Sequence, residues 1–82
     1  MNKQISEFRG KRASDGRDIV AVVFAPEALP EGDWRCRVSC PALFSADKFI
    51  AGVDTPQARQ LAKVFLETLF SDLGIAGTWT DA

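Results

Sequence analysis

One stretch near the end of the chain carries a complete helix signature, and it constrains everything placed before it. Thr55-Pro56 reads as an N-cap followed by proline at the first helical position. Asp54 adds negative charge where the helix dipole favours it. Ala58, Ala62, Phe65, Leu69 and Leu73 recur at spacings of three and four, with Leu61 and Leu66 flanking that stripe. Gln57, Gln60, Lys63, Glu67 and Ser71 fall on the opposite side. Gly74 reads as a left-handed cap, with Ile75 folding back on Phe70. The spacing predicts an amphipathic helix over about 56–73.

The rest of the chain reads as strands. Residues 18–25 form a continuous β-branched run, Asp-Ile-Val-Ala-Val-Val-Phe-Ala. Ile19, Ala21, Val23 and Ala25 face one way; Val20, Val22 and Phe24 face the other. A strand apolar on both sides is normally covered on both sides. Asp15-Gly16 is a hairpin signal, which makes residues 5–12 the partner strand. Residues 26–33 are a loop by composition. Residues 34–40 alternate, with Trp34, Cys36, Val38 and Cys40 on one side and Arg35, Arg37 and Ser39 on the other. Residues 48–53 make a fourth strand, with Phe49, Ala51 and Val53 on one face. The reading is α+β: a four-stranded antiparallel meander sheet packed by one C-terminal helix, in the order β-β-β-β-α. It predicts a single domain over residues 1–82, with the sheet over about 5–53, the helix over about 56–73 and a short tail over 74–82.

Four strands span about 15–19 Å, and one helix is about 10 Å wide. One helix therefore leaves the second sheet face uncovered. Val20, Val22 and Phe24 are the candidate partner face. The candidate covers are Trp79 in the tail, the loop around Leu29, or a second protein chain.

Ten Lys/Arg against eleven Asp/Glu argue against a bulk electrostatic fit to nucleic acid or an anionic membrane. A local basic patch is still formed by Arg9, Lys11, Arg12 and Arg17, extended by Arg35 and Arg37. Nucleic-acid surfaces interleave such residues with exposed aromatics, and Phe8 is the only aromatic nearby in sequence. No apolar run approaches the ~18 residues of a membrane span, and the opening residues form no charged-then-apolar leader. Two cysteines are fewer than a secreted domain of this size usually carries, so the cytoplasm is expected.

Cys36 and Cys40 lie about 13 Å apart on one strand face, too far for a mutual disulfide. With no histidine in the chain, they are two ligands short of a metal site. They read as small core residues. The carboxylates show no diagnostic pairing. No catalytic, cofactor-binding or metal residue is predicted, and the chain is not expected to be an enzyme.

Trp34-Arg35-Cys36, followed by Gly52-Val53-Asp54-Thr55-Pro56-Gln57-Ala58, resembles a family of short uncharacterised bacterial proteins, a domain of unknown function. Its members share W-x-C, then G-V-D-x-x-Q-A, then a long amphipathic helix. The resemblance covers about residues 33–73. It implies a bacterial or phage source and brings no catalytic residue. The expected function is a non-catalytic protein-binding or regulatory module: a homodimer, or an inhibitor, antitoxin or immunity-type partner. The alternative is a nucleic-acid-binding accessory protein using the basic hairpin.

Overall fold

The computed structural model describes residues 3–81; the remaining ends of the expected domain, residues 1, 2 and 82, lie outside it. Strand β1 (Gln4–Arg12) turns into β2 (Asp18–Phe24). Gly16 takes φ 70° in that turn, the left-handed conformation that Asp15-Gly16 implied. Strands β3 (Glu27–Ala28), β4 (Trp34–Ser39) and β5 (Lys48–Gly52) follow. Helix α1 (Thr55–Asp72) and strand β6 (Ile75–Asp81) complete the chain.

The architecture is α+β with an antiparallel sheet and one helix, but the sheet has six strands rather than four. Two features account for the difference. The first is a break. Between Val23↔Val38 and Glu27↔Arg35, the β2–β3 side advances four residues while β4 advances three. β3 therefore continues β2 along the same edge of β4 after a one-residue bulge at Pro26, where no N–H is available to the ladder. The second is β6. The expected tail is a seven-residue strand antiparallel to β1, from Ser6↔Asp81 to Arg12↔Ile75. Its sequence, Ile-Ala-Gly-Thr-Trp-Thr-Asp, hides the alternation because Gly77 occupies the middle inward position.

The helix starts over β5 at one edge of the sheet and delivers the chain to β6 at the other. Its sheet-facing row is Ala58, Ala62, Leu66 and Phe70, all buried. The predicted stripe is therefore displaced: Phe65 and Leu69 are only half-buried, and Leu73 is 39% exposed. Small residues sit where the helix touches the strands closely, and large ones where it stands further off. A Cβ on Gly52 would lie 2.6 Å from the Ala58 nitrogen, whereas Phe70 stacks on Phe8 with ring centroids 4.3 Å apart. Opposite the helix row lie Phe8, Ile19, Ala21, Val23, Cys36 and Val38.

Phe49, Ala51 and Val53 share a face, as expected, and the structure decides which way it points. That face is turned away from the core; Phe49 is 50% and Val53 66% exposed. Ile50 and Gly52 face inward, because Ile50 pairs with buried Cys36 and Gly52 must pass beneath Ala58.

Candidate functional surface: the open face of the sheet

The two segments, residues 34–36 and 52–58, meet at the strand-to-helix junction. Trp34 stands directly opposite Gly52 on β5, so the two segments are cross-strand neighbours. Asp54, rather than Thr55, is the N-cap: its carboxylate accepts from the Gln57 N–H at 2.8 Å. Gln57 Oε1 reaches back to accept from the Val53 N–H, also at 2.8 Å. This reciprocal pair satisfies two donors at the helix start, with Gln at the position where a capping box places it. Gly52, Asp54, Gln57 and Ala58 thus have folding roles.

Cys36 and Cys40 are free and buried. Burial pushes both thiols up; the charge of Arg59 opposes the effect at Cys36, and hydrogen bonds with the backbone of Leu43 and Ala42 oppose it at Cys40. A raised pKa removes thiolate at neutral pH and makes both sulfurs poor nucleophiles. Among the described residues, no group of three or more Cys, Asp or Glu could hold a metal ion. No described helix is long and apolar enough to cross a membrane.

The helix covers one face of the sheet, and the other carries the predicted partner residues. Val20, Val22 and Phe24 are half-buried there, neither bare nor enclosed. Trp79 does not cover them. It pairs with Phe8 across β1–β6 on the helix side, edge to face at 5.4 Å, with the Lys63 Nζ 5.0 Å from its ring. Phe24 is shielded in part by a basic side chain, and Phe49 on β5 likewise. The Arg37 guanidinium sits 4.0 Å over the Phe24 ring, and that of Arg35 4.4 Å over Phe49. Arg37 Nε is buried without a hydrogen-bond partner among the described residues.

The candidate basic patch divides between two places. Arg9 and Lys11 share the open face with Arg35 and Arg37, whereas Arg12 and Arg17 belong to the β1–β2 turn. Arg9 stands beside Val20 and Arg37 beside Phe24, four residues along β2 or about 13 Å. Carboxylates neutralise most of these groups. Arg9 pairs with Glu7 at 2.6 Å, Lys11 with Asp18 at 2.9 Å, Arg35 with Glu27, and Arg37 with Asp47 at 3.5 Å. Arg12 grips Asp15 with two nitrogens, and the Arg17 N–H donates to the same carboxylate. Together they hold the Asp15 carboxyl down at about 2, the Arg12 hydrogen bond contributing most.

Three features escaped the sequence reading. Phe49 shares the open face with Val20, Val22 and Phe24, Phe24 and Phe49 lie beneath arginines, and each open-face cation has a carboxylate neighbour. Only the last had a sequence signal, in the short Glu7/Arg9 spacing and the Lys11/Asp18 register across the hairpin. Comparison with known proteins finds no matching family model, no matching curated protein and no matching solved structure.

Proposed function

We propose that this chain is a non-catalytic protein-binding module that takes its partner on the open sheet face, as a small inhibitor, antitoxin or immunity-type protein does. The observation that carries this reading is the make-up of that face. Val20, Val22 and Phe24 are half-buried on β2, Phe49 is half exposed two strands away on β5, and the Arg9, Lys11, Arg35 and Arg37 charges between and around them are already paired. Apolar residues interleaved with paired charges suit a protein surface of mixed charge better than a polyanion. The raised thiols and structural motif residues support a non-catalytic role. The two unbridged cysteines fit a cytoplasmic location, and the motif a bacterial or phage source.

The test is affinity capture from source cells with the wild-type chain and with Phe49→Asp. A partner held by the first and lost by the second, with matching thermal melts, is the expected result. Equal capture by both, or none by either, overturns the reading.

One observation favours the nucleic-acid alternative: Arg35 and Arg37 stack on aromatics of an open sheet face, the interleaving such surfaces use. That reading predicts salt-dependent binding of single-stranded oligonucleotides, weakened by Arg35→Ala with Arg37→Ala and by Ala at Arg9, Lys11 and Arg12. No binding at low salt ends it.

A further inference from the structure

β6 pairs with β1 on one side and with no described strand on the other. Free edges are usually blunted by lysine, proline, a bulge or shortness. The opposite edge strand, β5, has five residues and opens with Lys48. β6 has seven, carries neither lysine nor proline, and keeps an unbroken register with β1. Its one charge, Asp81, stands at the end.

The direction of its backbone groups follows from one bond. The Ala13 N–H donates to the Gly74 carbonyl at 2.9 Å. Alternation along an antiparallel ladder then turns Ala76, Thr78 and Thr80 toward β1, and leaves Ile75, Gly77, Trp79 and Asp81 with outward N–H and C=O groups. The close approach at Gly77, where a Cβ would lie 2.5 Å from the Gly10 Cα, is the geometry of the intervening narrow pair.

We propose that a second copy of this chain pairs antiparallel along β6, about a two-fold axis at Thr78, joining two sheets into one. This inference rests on the reading of the chain as a protein-binding module, but uses a different surface. The strand is self-complementary in this register. Thr78 faces its own copy, Ala76 faces Thr80, Ile75 faces Asp81, and Gly77 faces Trp79. All seven residues pair, over about 24 Å. An aromatic opposite an edge glycine restores the contact that glycine lacks. The chain already uses this pairing internally, with Trp34 opposite Gly52. Beside Gly77 a groove of about 330 Å³ opens between the sheet edge and the helix, walled by Phe8, Phe70, Ile75 and Trp79. The second tryptophan would lie against it. The charges agree as well. Asp81 of one copy meets Ile75 rather than its own twin, and Arg12 sits on the strand next to Ile75. Because facing residues share a face, both open faces point the same way, and the dimer presents two binding surfaces side by side.

The test measures mass in solution by size exclusion with light scattering, then probes the axis. A narrow pair brings facing Cα atoms to about 4.5 Å, within disulfide range. The wild-type chain is expected as a dimer at micromolar concentration. Thr78→Cys then gives a covalent dimer on mild oxidation, and Thr80→Cys, about 13 Å or more from its twin, does not. Thr78→Glu sets two carboxylates face to face and weakens dimerisation about tenfold or more. Thr78 is exposed, so circular dichroism of these variants should match wild type. A chain that stays monomeric, a dimer that Thr78→Glu leaves intact, or a dimer without the Thr78→Cys cross-link overturns the proposal. A monomer that still loses a captured partner through Phe49→Asp sinks this inference alone; a dimer with no such partner sinks only the open-face reading.

Discussion

Ile19, Ala21 and Val23 are essentially inaccessible on one side of β2, whereas Val20, Val22 and Phe24 keep part of their surface on the other. The residue types are nearly the same, so hydrophobicity does not separate them. What separates them is the partner. On the helix side, apolar side chains meet a close-fitting row from α1. On the open side Phe24 lies under the Arg37 guanidinium and Val20 stands opposite Arg9, long side chains whose stems shield an apolar surface without enclosing it. The first arrangement holds the fold together; the second leaves an apolar surface available at modest cost.

The contrast can be broken or sharpened by substitution. The largest effect is expected for Leu66→Ala, which opens a hole in a fully buried site and costs about 3 kcal/mol by chemical denaturation. Leu61→Ala, on the same helix at 41% exposure, should cost under about 1 kcal/mol. Equal losses would mean that the buried row is misplaced. Gly52→Ala comes next. Its Cβ would strike the Ala58 backbone at 2.6 and 2.8 Å, so the helix must shift, at about 2 kcal/mol. Val23→Thr and Val20→Thr make the same chemical change on opposite faces of β2. The first buries a hydroxyl among apolar groups and costs about 1–3 kcal/mol, while the second stays within about 0.5 kcal/mol. Asp54→Ala removes the helix cap at about 1 kcal/mol. It should leave affinity at the open face unchanged, as capture with the Phe49→Asp control would show.

The smallest effect belongs to the turn. The Asp15 carboxyl is held at about 2, below its ordinary value of 3.8, by Arg12 and the Arg17 N–H. A depressed carboxyl stabilises the folded state above its unfolded pKa. That stabilisation fades as pH falls from about 4 through about 2. Melting temperatures of wild type and Asp15→Asn should therefore differ by a constant small amount above pH ~5 and converge near pH ~2. The pair is exposed, so salt should shrink the difference. A gap that persists in acid would show that the asparagine acts through turn geometry instead.

The helix was legible because its signals are local. Asp54, Thr55-Pro56 and Gly74 mark its ends within a residue or so, although the cap belongs to Asp54. The alternation of Cys36, Val38 and Cys40 was equally plain, and all three are buried. The candidate surface was only half legible. Val20, Val22 and Phe24 could be placed on one face by period two, and Arg35 and Arg37 on the polar side of their strand. That Phe49 would join them could not be read from residues 48–53: the more apolar row, Phe49, Ala51 and Val53, is the one that faces away from the core, because Ile50 stands opposite Cys36 and Gly52 lies beneath Ala58. β6 was missed because Gly77 interrupts its inward row, and Pro26 concealed that β3 continues β2.

Local chemistry by itself therefore determined the helix, its ends, the hairpin turn and the inward face of each strongly patterned strand, since those depend on neighbours a few residues away. Tertiary structure alone decided three other things: the row of the helix that meets the sheet, the phase of β5, and the enrolment of residues 75–81 as a strand. Each is a choice between alternatives of similar local free energy. It is settled by contacts distant in sequence: Phe70 on Phe8, Ile50 beside Cys36, and Trp79 against Phe8.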